Sequence, residues 1–173
     1  MNKVFFRFLI IILVGILGCQ KATVKKIKIN LNAKSNSNTY GEVTIIEKGG
    51  IVRLEAHIFG LKPGTHAIHL HEKADCSSSD GKSTGGHWNP TFEQHGAWKN
   101  KAGFHRGDIG NFDADENGHG LVNFSTDLWC IECDDSKKNI INKAVVVHQG
   151  VDDLISQPSG AAGSRVSCAG IIQ

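Results

Sequence analysis

No run of this chain places apolar residues at helical spacing for long enough to specify a helix, so its fold has to be built from strands. No apolar stretch reaches the roughly 20 residues that a membrane-spanning helix needs. No basic patch offers itself to a nucleic acid, and no internal repeat or low-complexity segment points to a solenoid or a linker. A chain of 173 residues without such features is one domain by length.

The longest apolar run, Phe8 to Leu17, follows Lys3 and Arg7 and has the size of a signal-peptide core. It leads into Ile16-Leu17-Gly18-Cys19, which resembles the lipobox of bacterial lipoproteins, with Leu17 bulkier than the small residue usual there. The expected layout is a signal peptide over 1–18, a tether over 19–23 that begins at a lipidated Cys19, and a folded domain over 24–173. An ordinary cleaved signal or an uncleaved anchor is the other reading, and all three export the domain. Lys3 and Arg7 are the only charged residues before Cys19, so the formal charge of +2 becomes 0 without them. Cys76, Cys130, Cys133 and Cys168 remain, an even number in an exported chain, with three pairings open.

Beyond the tether, apolar residues alternate in short runs: Ile27, Ile29 and Leu31; Val43 and Ile45; Val52, Leu54, Ala56 and Ile58; Leu121 with Phe124 nearby; and a continuous Ala144 to Val147. Lys48-Gly49-Gly50 and Asp115-Glu116-Asn117-Gly118 read as turns between such runs. The pattern predicts an all-β antiparallel sandwich or barrel whose loops carry the chemistry. The stretch from Glu72 to about Gly107 exceeds an ordinary connection, and a metal with a disulfide would be enough to order it.

Between Ile68 and His148 stand seven metal-type side chains: His69, His71, His87, His95, His105, Asp108 and His148. Their order reads as two sites sharing one ligand. On a strand, Ile68-His69-Leu70-His71 turns both imidazoles to one face and both apolar residues to the other, which makes half of a copper or zinc site. Glycines at 85, 86, 96, 103, 107 and 110 let the loops that carry His87, His95 and His105 bend toward a common point.

Several motifs occur in one order: Gly64-Thr65-His66-Ala67-Ile68-His69-Leu70-His71, Gly86-His87-Trp88-Asn89-Pro90, His105-Arg106-Gly107-Asp108-Ile109-Gly110-Asn111, Val147-His148 and Gly163-Ser164-Arg165-Val166-Ser167-Cys168. Over residues 24–173 the chain resembles the copper/zinc superoxide dismutases, and in its lipobox a bacterial lipoprotein-type member. The resemblance implies a Greek-key antiparallel β-barrel or flattened sandwich with long metal-binding loops. It implies one copper held by His69, His71, His87 and His148, one zinc held by His87, His95, His105 and Asp108, and an imidazolate bridge at His87. Asp152 would link a copper-ligand histidine to a zinc-ligand histidine, and Arg165 would act with His87 in catalysis, beside the open copper position. Cys76 and Cys168 would form a disulfide.

The activity implied is dismutation of superoxide to oxygen and hydrogen peroxide by copper redox cycling, performed in the cell envelope by a lipid-anchored protein that faces the periplasm or the exterior. Homodimerisation is compatible with the family. The alternative is a non-catalytic copper- or zinc-binding lipoprotein on the same fold. Cys130-Ile131-Glu132-Cys133 departs from the family pattern and is read as a second, local disulfide in preference to a redox motif or metal site. The segment from Asp152 to Arg165 is shorter than in eukaryotic members and contains no lysine, so Lys73, Lys82, Lys99 and Lys101 become the candidates for steering an anion. His57, His66 and His119 are assigned to no metal.

Overall fold

The computed structural model describes residues 23–172; the expected signal peptide, Cys19 and most of the tether lie outside them. Eight strands are present: β1 Val24–Ala33, β2 Tyr40–Lys48, β3 Ile51–Phe59, β4 Gly64–His71, β5 Gly110–Ala114, β6 Gly120–Thr126, β7 Ala144–His148 and β8 Arg165–Gly170. They close into a barrel in the order β1-β2-β3-β6-β5-β4-β7-β8, each strand antiparallel to its neighbours. The connections β3→β4 and β6→β7 join strands that are not neighbours, and these crossovers make the topology a Greek key. Among the described residues the helical structure is one 3-10 turn, Lys82–Thr84, and no helix is long and apolar enough to cross a membrane.

Local chemistry accounts for the strand pairing. Lys48 pairs with Ile51 across a two-residue turn in which Gly49 and Gly50 have φ of 60° and 78°. Positive φ at both central residues is the type I′ geometry whose twist matches that of the flanking strands. Alternation then sends Val43 and Ile45 of β2, and Val52, Leu54, Ala56 and Ile58 of β3, into the barrel, where none is more than 1% exposed. Each aliphatic side chain of the size of valine or larger contributes about 1.5–3 kcal/mol by leaving water. The expectation for β6 needs one correction. Val122 and the half-buried Phe124 face inward, whereas Leu121 faces out and is 47% exposed. Residues one and three positions apart cannot share a face with period two, so Leu121 and Phe124 do not form one stripe.

β4 is where the barrel serves the site. Ile68 and Leu70 belong to the core inside the barrel, while His69 and His71 point to the outer face and are nevertheless buried, because long loops fold over them. All five residues of the neighbouring β7 are buried for the same reason. Cys76 is joined to Cys168 with Cα atoms 5.9 Å apart, which fastens the loop after β4 to the last strand. Cys130 is joined to Cys133 within the loop between β6 and β7.

Candidate metal centre

The loop after β4 reaches the outer face by extending the backbone ladder. Trp88 N–H donates to Leu70 O (2.8 Å), Leu70 N–H to Gly107 O (2.9 Å) and Gly107 N–H to Trp88 O (2.9 Å), so both ends of the loop are laid beside β4. A Cβ at position 107 would stand 2.2 Å from Leu70 O, which makes glycine a requirement of this approach. The ladder sets His87 against His71 and brings His105 and Asp108 alongside.

Two buried groups result, His69, His71, His87 and His148, and His87, His95, His105 and Asp108; within each, the potential ligand atoms lie within 4.8 Å of one another. His87 belongs to both. Its Nδ1 lies 2.8 Å from Asp108 Oδ1, and its Nε2 is left on the side of the first group, without a hydrogen-bond partner. His71 Nε2 and His148 Nε2 are 3.3 Å apart. Asp108 Oδ2 is 3.0 Å from His95 Nδ1 and Oδ1 is 3.3 Å from His105 Nδ1, yet neither nitrogen has hydrogen-bond geometry. His69 Nδ1 is likewise buried and unpartnered. Four buried imidazole nitrogens without a proton partner, converging with a carboxylate on two points, form a donor set that fits two metal ions.

The outward-facing atoms are tied down. Asp152, 1% exposed, accepts from His69 Nε2 with one oxygen and from His95 Nε2 with the other, both at 2.9 Å. His71 Nδ1 donates to Gly85 O (3.0 Å), His148 Nδ1 to Gly163 O (3.4 Å) and His105 Nε2 to Glu93 O (3.1 Å). These bonds select the tautomers that leave His69 Nδ1, His71 Nε2, His148 Nε2 and His105 Nδ1 free to ligate. Burial, reinforced by His87 and His148, pushes His71 well below the ordinary histidine range; burial with His69 and His87 does the same to His148. Burial takes His87 down to about 4 despite Asp108. All three are therefore neutral near pH 7. His95 goes the other way: burial opposes its charge, but the Asp108 carboxylate beside Nδ1 and the hydrogen bond from Nε2 to Asp152 outweigh it and raise the ring to about 9. For Asp108 and Asp152 burial is likewise overcome, by the histidine nitrogens around them and by backbone N–H donors, and both are held well below the usual carboxylate range.

A cavity of about 270 Å³ opens over the first group, lined by His71, His87, His148, Asp80, Lys82 and Arg165. Of the second group only His87 lines this cavity. Burial lowers the Arg165 pKa and Asp80 partly offsets that. Of the four candidate steering lysines only Lys82 lines this mouth, and it stands 3.3 Å from Asp80. Lys99 pairs with Asp127 at 3.7 Å, and Lys73 and Lys101 are exposed outside the cavity.

Of the histidines left unassigned, His66 is buried, with its ring nitrogens against the carbonyls of His148 (3.0 Å) and Lys62 (2.8 Å). His57 and His119 stack on each other outside the barrel. Asp153, next to Asp152, is exposed. Three supporting residues were not singled out from the sequence. Asn111 clamps the backbone of Asp152, accepting from its N–H (2.8 Å) and donating to its carbonyl (2.9 Å). Gln157 does the same for His95, at 2.8 and 2.9 Å. Gly160, with φ of 67°, passes so close to Asp152 that a Cβ would lie 2.0 Å from its Oδ1. Asn111 at least lay within a recognised motif; Gln157 and Gly160 carried no local signal.

The order of these ligands agrees with a wider comparison. The family model "Copper/zinc superoxide dismutase (SODC)" matches residues 39–171. The chain belongs to the copper/zinc superoxide dismutase family. An extracellular Cu-Zn superoxide dismutase of Haemonchus contortus is 31% identical over 138 residues, 76% of this chain and 73% of that protein. Superoxide dismutase [Cu-Zn] 2 of Aquifex aeolicus is 35% identical over 145 residues, 79% of this chain and 82% of the relative. The crystal structure of a double mutant of a SOD-like protein from Bacillus subtilis superposes with a TM-score of 0.74 at 28% identity, covering 84% of this chain and 97% of that one. Within a copper/zinc dismutase family, the two ligand groups have a natural division of labour. An all-imidazole set under an open cavity suits copper, and a closed set with one carboxylate suits zinc.

Proposed function

We propose that this chain is a superoxide dismutase, with copper held by His69, His71, His87 and His148 and zinc by His87, His95, His105 and Asp108. One observation carries the reading: Arg165 lines the same cavity as His71, His87 and His148, so a permanent positive charge stands beside a ligand group that a small anion can approach. Bound copper would supply one-electron oxidation and reduction, and the overall conversion takes two superoxide ions and two protons to oxygen and hydrogen peroxide. Arg165 attracts and orients the anion. His87 has its Nε2 toward the ligands that line this cavity; once Nδ1 has given up its proton, a neutral ring carries its single proton at Nε2, from which it can pass to reduced dioxygen. Asp108 and Asp152 keep the rings in place through the change of charge.

The proposed setting is the cell envelope. The domain over 24–173 would be exported behind the signal peptide over 1–18 and held to a membrane by lipid on Cys19, through the tether over 19–23. Two disulfides and the extracellular location in the name of the Haemonchus relative support export. The second reading, a non-catalytic metal-binding protein on this fold, is favoured by the description of the Bacillus structure as SOD-like. It does not call for a guanidinium in the lining of the cavity beside His71, His87 and His148. Stopped-flow decay of superoxide separates the two: the protein loaded with both metals should accelerate the decay catalytically, and the same protein loaded with zinc alone should not. Binding of both metals without acceleration would establish the second reading.

A further inference from the structure

Thr84 closes the 3-10 turn between Cys76 and His87 and is fully buried. Its hydroxyl has a single proton, which goes to Gly81 O at 2.9 Å. Toward Arg165 Nη1, also 2.9 Å away, it can therefore act only as an acceptor. The same Nη1 donates to Gly81 O (2.8 Å), and Nη2 donates to Gly85 O (2.8 Å). A guanidinium has five N–H donors in a rigid plane. These three bonds use both protons of Nη1 and one of Nη2. What remains is Nε–H and the second Nη2 proton, donors on the two adjacent nitrogens that share the Nε/Nη2 edge of the plane. That edge matches a two-oxygen anion with two parallel hydrogen bonds.

We infer that Thr84 is a positioning residue that locks the Arg165 guanidinium so that its Nε/Nη2 edge stays free for a small two-oxygen anion in the cavity beside His71, His87 and His148. Without the hydroxyl, one Nη1 proton loses its acceptor, and the plane is held by the two carbonyls alone, with more freedom to rock about the side-chain axis. The turn is well suited to this job. Thr84 is three residues from His87, and the disulfide Cys76–Cys168 ties the loop to β8, the strand that Arg165 begins. The inference rests on the proposal that this cavity receives superoxide.

The test compares wild type, Thr84→Val and Thr84→Ser, each loaded with zinc and reduced copper so that Arg165 can be followed by 15N NMR. Formate serves as the two-oxygen probe and chloride as a monatomic control. Wild type and Thr84→Ser should show separate, slowly exchanging Nη resonances for Arg165 and bind formate alike. In Thr84→Val these resonances should merge, formate binding should weaken about 3- to 10-fold with a smaller change for chloride, and KM for superoxide should rise with little change in kcat. Merged Nη resonances in wild type, equal weakening of formate and chloride, or failure of serine to restore formate binding would overturn the inference. Should Thr84→Val not fold, the wild-type and serine spectra decide the matter. A wild type that binds formate through Arg165 but does not dismutate superoxide would refute the proposed function and leave the positioning role intact.

Discussion

Replacing Asp152 with asparagine should damage one metal site far more than the other. The carboxylate is shared between His69 Nε2 and His95 Nε2 at 2.9 Å each, and as an anion it accepts from both. An amide of the same shape has one accepting and one donating end. Whichever ring meets the donating end must accept at Nε2, which moves its proton to Nδ1, the atom that would ligate metal. A charge-assisted hydrogen bond lost in a dry site is worth about 1.5–3 kcal/mol, and loss of such outer support costs roughly 10- to 100-fold in metal affinity. Chelator competition should therefore show Asp152→Asn weakened by that range for one metal and by about tenfold or less for the other. Asp152→Ala, which removes both acceptors, should weaken both. Affinities within twofold of wild type for both metals in both variants would refute the claim that this carboxylate selects the ligand tautomers.

Three further outcomes follow from the geometry. In the metal-free protein the raised pKa of His95 contributes stability that is fully present below ~6.5 and is lost as pH rises through about 9. Zinc has to displace that proton, so its affinity should rise roughly tenfold per pH unit across that window, and a flat calorimetric profile would contradict the assignment. At the cavity mouth, Lys82→Gln should lower kcat/KM at low salt and Asp80→Asn should raise it. Both should converge on wild type near 1 M salt, where screening cuts the reach of charge to about 3 Å, and unchanged salt slopes would show that neither residue steers. By chain entropy the Cys76–Cys168 bridge, spanning 92 residues, contributes about 4–5 kcal/mol, against about 2 for Cys130–Cys133, spanning 3. Paired serine substitutions compared by urea unfolding should keep that ranking, and the reverse order would refute it.

Much of this architecture was legible in advance because period-two patterns and glycine turns are local. Gly49-Gly50 and the alternation in β3 need only their neighbours to be read. The His69/His71 pair also announces itself, since one strand fixes both directions. What escaped was the support supplied from a distance. Gln157 grips the backbone of His95 from 62 residues away and Asn111 grips Asp152 from 41; Gln157 reads in sequence as an ordinary polar loop residue, and the motif around Asn111 does not say what its amide holds. The candidate steering lysines could not be ranked for a related reason: sequence proximity to the metal ligands puts Lys73 beside Lys82, but of the four the fold brings only Lys82, with Asp80, to the mouth. Leu121 shows the limit of pattern reading on a short strand, where one apolar residue on the wrong face goes unnoticed until Val122 is seen packing inward.

One imidazole, that of His87, belongs to both ligand groups and would serve two ions. Crystals of the copper- and zinc-loaded protein, measured by anomalous diffraction on both sides of the two absorption edges, test it most directly. Two peaks should flank the His87 ring, copper among His69, His71 and His148 and zinc among His95, His105 and Asp108. A single ion held without His87, or copper seated in the group that contains Asp108 while the other stays empty, would contradict it.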